Sequence, residues 1–109
     1  MTKVLLKPVQ DIFMKIKNIP VVKSDERGSI FDCGDYHLVV RKEGSISANH
    51  SHEDPERLYL IEGEAKLTVN DETKVVKAPV MIDIYTNEYH KIDAVTDVIF
   101  IYKRDFSKE

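Results

Sequence analysis

One short stretch of the sequence brings together side chains that can hold a metal ion: His50, His52 and Glu56. Residues two apart in a β-strand point to the same face, so the imidazoles of His50 and His52 are predicted to project side by side. The segment 53–55 contains Pro55 and interrupts this strand, and a bend there would return the Glu56 carboxylate towards the two rings. Imidazoles and carboxylates are ligands of divalent transition metals. The histidine pair by itself is equally compatible with a polar loop carrying two solvated rings.

A fourth candidate ligand, His90, follows a turn signal at Asn87 and opens a β-rich run. In this run His90, Ile92 and Ala94 share one face of the predicted strand, so the imidazole is expected to point inward with two apolar neighbours. Polar groups are costly to place among apolar residues unless something binds them. Convergence on one metal ion inside a barrel would explain the placement of all four side chains.

The elements that must position these ligands are short strands separated by turn signals, the pattern of an all-β sandwich or barrel. The clearest hairpin surrounds Asn70 and Asp71, where Ala65, Leu67 and Val69 alternate with polar residues, so one of its faces should be buried. Eight strands are predicted, over residues 36–41, 45–52, 57–61, 65–69, 73–77, 80–85, 89–92 and 97–103. Eight strands suffice to close a barrel.

The first twenty residues are less regular. The spacing of Val9, Ile12, Phe13 and Ile16 predicts one or two helical turns before Pro20. This extension could cover one end of the barrel, or add an edge strand that pairs with a second copy of the chain.

The stretch around the first three ligands resembles the first motif of the cupin superfamily: Gly, five residues, His-x-His, three or four residues, Glu, six residues, Gly. Here the motif runs from Gly44 to Gly63, with His50, His52 and Glu56 at its fixed positions. The resemblance implies an all-β cupin double-stranded β-helix, or jelly-roll barrel, with a short N-terminal extension. One cupin domain is expected over residues 1–109, with the conserved barrel at about 36–103.

The second cupin motif commonly reads Pro-x-Gly-x-x-His, followed by Asn three residues after the histidine. In this chain it keeps the histidine, His90, while Asn87 stands at the glycine position and Ala94 at the last one. Asn tolerates the positive φ that glycine would supply, so the turn is still expected. By resemblance, the metal ligands are His50, His52, Glu56 and His90.

This ligand set implies one divalent transition metal ion, Mn, Fe, Ni or Zn. Four protein ligands would complete the tetrahedron that zinc prefers, whereas a six-coordinate ion would keep two positions for water or substrate. Such an ion stabilises negative charge on oxygen, so a metal-dependent enzyme acting on a small oxygen-chelating metabolite is predicted. A dioxygenase, decarboxylase, lyase or isomerase would fit.

Two other functions stay open. The segment 24–30, which contains Asp25, Arg27 and Gly28, resembles the Asp-x-Arg-Gly entry of cupins that modify nucleotide-linked sugars, where a histidine can act as a general base without metal. A hairpin turn is the structural alternative for this segment. The third possibility is a non-catalytic module that binds a small molecule in the same pocket.

The predicted substrate pocket includes Tyr36 and Val40, which share one face of the first predicted strand with Leu38. His37 lies on the opposite face, so an outward or interface position is predicted for it and it is left out of the metal set. Tyr59 alternates against Leu58 and Leu60, so it should face away from the metal.

The composition of the chain limits which kinds of binding partner are expected. The net charge is −3, and acids and bases are interspersed with no basic stripe of the kind that binds a phosphate backbone, so nucleic acid is not expected as a partner. No run approaches the roughly 20 apolar residues of a membrane span. The single cysteine and the absence of a secretory signal favour a cytoplasmic protein. A small-molecule ligand and a homodimer are expected.

Overall fold

The computed structural model describes residues 14–104, which form ten β-strands and no helix. The strands are β1 (Val21–Asp25), β2 (Gly28–Asp32), β3 (His37–Arg41), β4 (Ile46–His50), β5 (Glu56–Glu62), β6 (Glu64–Val69), β7 (Glu72–Lys77), β8 (Val80–Ile84), β9 (His90–Ala94) and β10 (Val98–Arg104). All eight predicted strands are present, as β3 to β10.

Two antiparallel sheets form the jelly roll. One sheet has six strands in the order β1-β2-β3-β10-β5-β8, and the other has four in the order β4-β9-β6-β7. The prediction of an all-β jelly roll is therefore confirmed. The small sheet carries His50 and His90, whereas Glu56 lies on the large sheet, so the candidate ligands come from both layers.

The apolar core lies between the two sheets and follows the period-2 alternation of the strands. On β5 the side chains of Leu58 and Leu60 are buried, and Phe100 on β10 packs with them. In the β6–β7 hairpin Ala65 and Leu67 are buried, as the alternation predicts. Each large apolar side chain removed from water contributes about 1.5–3 kcal/mol. This core holds together the two sheets on which the site is built.

The β6–β7 hairpin has the predicted two-residue turn. Val69 pairs with Glu72, and Asn70 between them has a φ of 52°. A left-handed conformation suits the right-handed twist of such a hairpin, and Asn adopts it at little cost. The local sequence thus sets the register of these two strands.

The strands β1 and β2 were not among the eight predicted. They form a hairpin whose second strand pairs along β3, from Gly28 opposite Arg41 to Asp32 opposite His37. Polar residues such as Lys23 and Ser24 interrupt the apolar pattern of β1, so no alternation marks it as a strand. Pairing with the existing sheet edge supplies the backbone hydrogen bonds instead.

Part of the N-terminal prediction falls within the described residues. Ile16 lies in a segment without regular secondary structure that leads to β1, and it is 82% exposed, so the helical turns are not formed there. Val9, Ile12 and Phe13 lie outside the described residues. Between residues 14 and 104 there is no helix with the length and apolarity that crossing a bilayer requires.

Gly28 is required where β2 runs along β3, and its replacement is predicted to be destabilising. Its φ is +133°, and a Cβ atom there would lie 2.0 Å from the carbonyl oxygen of Val40. Gly28→Ala is expected to lower the free energy of unfolding by about 3 kcal/mol or more, measured by urea denaturation.

The matched control is Gly34→Ala. Gly34 also has a positive φ, +91°, but a Cβ there would meet no atom within 4 Å. Only backbone strain, about 1–3 kcal/mol, is therefore expected. Equal losses for the two variants would show that the contact with Val40 is not the cause.

Candidate metal centre

An irregularity in β4 aims His50 into the site. Ala48 and Asn49 have φ values of 71° and 40°, and the β4–β9 register shifts between Ser47 and His50. Such a bulge leaves residues unpaired and turns the following side chain, at a cost in backbone strain that functional sites commonly carry. The Tyr89 hydroxyl donates a hydrogen bond to Oδ1 of Asn49, and this bond stabilises the bulge. As a result, His50 lies directly opposite His90.

His52 reaches the site by a different route from the predicted one. The strand β4 ends at His50, so His52 lies in the irregular segment beyond it and not on a shared strand face. The backbone carbonyl of His52 accepts a hydrogen bond of 2.9 Å from the amide of Asn87, which lies in the turn before β9. Asn87 has the predicted positive φ, 63°. This bond ties the His52 segment to the turn that presents His90.

The three imidazoles converge. Their ring centroids are 5.0 Å apart for His50 and His52, 4.8 Å for His50 and His90, and 5.1 Å for His52 and His90. One nitrogen of each ring lies within 4.8 Å of the other two. Metal–nitrogen bonds of about 2.0–2.1 Å place two ligand nitrogens at most about 4.2 Å apart, so small ring movements would bring all three onto one ion.

Glu56 adjoins this cluster from the opposite sheet. Its side chain is buried, and Oε1 lies 3.4 Å from Nε2 of His90, while Oε2 lies 3.9 Å from Nε of Arg104. The separation from His90 is longer than a normal hydrogen bond. The structure therefore places Glu56 beside the three histidines but not within the 4.8 Å group that they form.

The hydrogen bonding of His90 leaves one nitrogen for a further partner. Its side chain is fully buried, and Nδ1 lies 3.1 Å from the backbone carbonyl oxygen of Glu88. A carbonyl only accepts, so Nδ1 carries the hydrogen, and in the neutral ring Nε2 has a lone pair. That lone pair faces the Glu56 carboxylate, an arrangement that calls for a cation, either a proton or a metal ion, between them.

Buried nitrogens without partners are the strongest sign that the cluster fits a metal. In the part of the chain that the structure describes, the buried side-chain nitrogens lacking a hydrogen bond are Nδ1 and Nε2 of His52 and Nε2 of His90. Buried polar atoms are nearly always satisfied, and each unsatisfied one costs about 1–3 kcal/mol. A bound ion would satisfy one nitrogen on each of these rings.

The electrostatics of the cluster differ from ring to ring. Burial lowers the pKa of His50, and the neighbouring His90 and His52 lower it further. Burial also opposes charge on His90 and is the largest influence there. The Glu56 carboxylate and the Glu88 carbonyl together outweigh it and raise the pKa of His90. Protons and metal ions therefore compete more strongly for His90 than for His50.

A cavity of about 120 Å³ opens beside the cluster. Its walls combine apolar side chains with polar and charged ones in equal number. The cavity is lined by Ile30, Val39, Arg41, Ser47, Ala48, His50, Glu56, Leu58, Ile92, Phe100, Tyr102 and Arg104. Two candidate ligands, His50 and Glu56, thus face a space in which a ligand could reach the same ion.

The comparison with protein families agrees with this architecture. The sequence matches the cupin domain family over residues 37–102, which span β3 to most of β10. The chain belongs to the cupin family. No curated protein sequence matches the chain.

Solved structures show the same cupin fold. The capsular polysaccharide assembling protein CapF from Staphylococcus aureus is 22% identical with a TM-score of 0.66, over 90% of this chain and 30% of CapF. A predicted oxalate decarboxylase from Thermotoga maritima is 24% identical with a TM-score of 0.60, over 63% of each chain. Salicylate 1,2-dioxygenase from Pseudoaminobacter salicylatoxidans is 16% identical with a TM-score of 0.61, over 64% of this chain and 21% of the enzyme. The chain spans less than a third of the length of CapF.

Two of these cupin structures contain small molecules. CapF has been crystallised with the inhibitor 3-isopropenyl-tropolone, and the salicylate dioxygenase with gentisate. At such low identities the similarity establishes the fold and no more.

The structure places the predicted pocket residues Tyr36 and Val40 away from the histidine cavity, which is a correction. The opposite face of β3, with Val39 and Arg41, lines the cavity. The alternation of side chains along β3 defines two faces but does not tell which one is buried. The face with Arg41 carries a charge, so it was predicted to be the outer one. Tyr36 instead lines an apolar groove together with Leu38, Tyr59 and neighbouring residues. Tyr59 thus faces away from the three-histidine cluster, as predicted.

The predicted outward position of His37 is also corrected. His37 shares the alternating face of Val39 and Arg41, and its ring stacks on Tyr102 with centroids 5.0 Å apart. It lies outside the three-histidine group, in agreement with its exclusion from the predicted ligands.

Two cavity residues were not predicted from the sequence. They are Tyr102, on which His37 stacks, and Arg104. For Arg41 the sequence did offer a signal, because it is a charged residue at the end of the apolar run of β3.

The segment that resembles nucleotide-sugar cupins forms the β1–β2 hairpin turn. Nη2 of Arg27 lies 2.9 Å from Oδ2 of Asp25, and the hydrogen bond from Arg27 lowers the pKa of Asp25 to about 2. The Arg27 guanidinium also reaches the carbonyl oxygen of Ile46 at 3.4 Å. Arg27 is not among the residues that line the histidine cavity. Its contacts are an ion pair within the turn and a hydrogen bond to β4 of the other sheet.

Proposed function

We propose that this cupin is a metal-dependent enzyme that acts on a small oxygen-chelating metabolite. One divalent ion, Mn, Fe, Ni or Zn, would be held by His50, His52, Glu56 and His90. The observation that carries the proposal is the set of buried, unpartnered imidazole nitrogens beside a cavity. Protein atoms alone leave these nitrogens unsatisfied, and a divalent ion is the ligand that their chemistry suits.

The charge of this ligand set favours anionic oxygen ligands. Three neutral imidazoles and one carboxylate leave a divalent ion with a formal charge of +1, and a six-coordinate ion would keep two positions open. When bound, the ion would act as a Lewis acid that polarises a substrate oxygen. A carboxylate, enolate or hydroxy-ketone would suit it best, and tropolone and gentisate, bound by other cupins, carry such oxygens.

The side chains of the chain itself have defined tasks in this proposal. The apolar walls, among them Val39, Leu58 and Phe100, exclude water and strengthen the electrostatic interactions inside the cavity. Burial raises the pKa of the Tyr102 hydroxyl, so it stays protonated near neutral pH and can donate a hydrogen bond to a substrate oxygen. The reaction would be of the dioxygenase, decarboxylase, lyase or isomerase type.

The test of the proposal is metal content. Elemental analysis of the purified protein should find one transition metal ion per chain, and calorimetric titration of metal-free protein with Mn²⁺, Fe²⁺, Ni²⁺ and Zn²⁺ should give one site. Stoichiometric iron would favour an oxygenase, and manganese or nickel a decarboxylase, lyase or isomerase. Absence of any metal binding would refute the proposal and favour a metal-free sugar-modifying activity.

Glu56 needs its own variant because it lies beside the histidine group and not within it. Glu56→Gln should lower the affinity for the ion about 10-fold or more if the carboxylate is a ligand. The control is Glu53→Gln, which removes an exposed carboxylate from the neighbouring loop. If both variants bind the ion equally well, the ligand set is the three histidines alone.

The other expectations stay predictions. Thermal stabilisation by nucleotide sugars would support the sugar-modifying alternative, and metal or ligand binding without turnover would support a non-catalytic module. The homodimer, the cytoplasmic location, the absence of nucleic-acid and membrane partners and the single domain over residues 1–109 are likewise predictions.

A further inference from the structure

Arg41 is a buried cation that faces the cavity. It is the last residue of β3 and is 5% exposed. Its Nε donates a hydrogen bond of 3.2 Å to Oγ of Ser47, and its Nη1 donates one of 3.3 Å to the carbonyl oxygen of Val40. Both partners are neutral, and a guanidinium has five N–H donors. N–H groups of the guanidinium therefore remain that can donate hydrogen bonds to a ligand in the cavity.

No carboxylate of residues 14–104 lies within ion-pair distance of Arg41, which sets it apart from the other three arginines. Arg27 pairs with Asp25 at 2.9 Å, Arg57 pairs with Asp83 at 2.8 Å, and Arg104 lies 3.9 Å from Glu56. These three are also more exposed than Arg41. The most buried arginine is thus the one without a counter-ion.

A buried charge without a counter-ion is costly, and proteins keep such a group where a ligand supplies the opposite charge. Burial lowers the pKa of Arg41 and the positive charge of Arg27 lowers it further, and these effects outweigh the opposing influence of Asp25, which lies beyond ion-pair distance, and of Tyr102. An anion bound in the cavity would offset both effects. A carboxylate suits the planar guanidinium best, because it can accept two parallel hydrogen bonds.

The position of Arg41 relative to the metal cluster indicates the shape of the ligand. Along β10, Arg41 pairs opposite Val98, whereas Glu56 pairs opposite Arg104 at the other end of the strand. The two side chains therefore enter the same cavity from opposite ends of β10. Between these ends the cavity is lined by Phe100 and Tyr102 of β10 and by Leu58, which pairs opposite Tyr102, so the wall is apolar apart from one hydroxyl group.

We infer that Arg41 binds a second, remote carboxylate of the ligand, so that the substrate class is a small diacid with metal-chelating oxygens at one end and a short carbon chain between. This inference rests on the proposed function, since it names the substrate class of the same site. The apolar wall contacts the chain of the diacid, and the cavity volume of about 120 Å³ limits its length. Ser47 holds the guanidinium in place through Nε.

The experiment compares diacids with monoacids of the same length. The probes are the 2-hydroxy diacids malate, 2-hydroxyglutarate and 2-hydroxyadipate, and the 2-hydroxy monoacids 2-hydroxybutyrate, 2-hydroxyvalerate and 2-hydroxyhexanoate. Binding to the Ni²⁺-loaded and metal-free protein is measured by calorimetry. At least one diacid should bind the loaded protein 10-fold or more tightly than its matched monoacid, and this preference should fall below 2-fold in Arg41→Gln.

Three further variants make the result specific. Arg41→Lys keeps the buried charge without the planar fork, so it should fold if Arg41→Gln does not, and should keep only part of the preference. Arg104→Gln removes the other cavity arginine, and Arg27→Gln removes one outside the cavity. Both should keep the preference for the diacid. Loss of the preference in Arg104→Gln but not in Arg41→Gln would overturn the inference.

The outcomes separate this inference from the proposed function. If Ni²⁺ and the monoacids bind but no diacid is preferred, the role of Arg41 is refuted and the metal site stands. If Ni²⁺ does not bind but a diacid still binds the metal-free protein in an Arg41-dependent way, the metal proposal fails and the carboxylate site at Arg41 is supported.

Discussion

His52→Ala is expected to lower the affinity of the protein for a divalent ion by at least about 100-fold, the upper end of the loss seen when a ligand's supporting group is removed. The metal-free variant should nevertheless fold with a free energy of unfolding within about 1 kcal/mol of the wild type. The reason is that neither ring nitrogen of His52 makes a hydrogen bond, although both are buried. Removing the ring loses no hydrogen bond and leaves no partner unpaired.

The measurement is calorimetric titration of metal-free protein with Ni²⁺, together with urea denaturation of the same samples. His37→Ala is the matched control, because His37 stacks on Tyr102 and lies outside the three-histidine group. This control should bind the ion as the wild type does. Unchanged affinity in His52→Ala would refute the metal centre, and an equal loss in both variants would point to a general effect of removing a ring.

Metal affinity is expected to fall steeply as the pH is lowered, because the ion binds neutral imidazoles and protons compete for the same nitrogens. The loss should be about 10-fold per pH unit wherever one ligand imidazole must release a proton to bind the ion, and steeper where more than one must. Protons should compete for His90 at a higher pH than for His50, since the pKa of His90 is raised and burial lowers that of His50.

The same two shifts predict opposite effects on the stability of the metal-free protein. The raised pKa of His90 stabilises the fold at pH values below the unfolded pKa of about 6.5, and this contribution is lost as the pH rises through the folded pKa. The lowered pKa of His50 destabilises the fold as the pH falls through about 6.5. Titration of each imidazole by NMR separates the two, and metal affinity independent of pH between 5.5 and 7.5 would show that the ligands are not imidazoles.

Much of the site could be predicted from the sequence because its spacing is local. His50, His52 and Glu56 lie within seven residues, so they stay near one another even though His52 lies beyond the end of β4 and not on the predicted strand face. The positive φ of Asn87 before His90 is likewise a property of that residue type. For the same reason the β6–β7 hairpin and its buried face were predictable.

What the sequence left open depended on contacts between distant strands. The inward face of β3 is the one that carries Arg41, because the cavity wall and Ser47 accept its side chain, and no local pattern reveals such a partner. Likewise, β1 and β2 exist because β3 offers an edge to pair with. The bulge at Ala48 and Asn49 is held by pairing with β9 and by Tyr89.

The amino-acid sequence by itself therefore supplied three histidines and a carboxylate whose spacing predicts a metal site, and determined the strands that carry or flank them. Only the tertiary structure decided that the three imidazoles meet, that Glu56 adjoins them from the other sheet, and that Arg41 faces the cavity without a counter-ion. The physical reason is that residue type and local period set what a side chain can bind and which way a strand alternates. Burial and electrostatic environment arise only when the two sheets pack together.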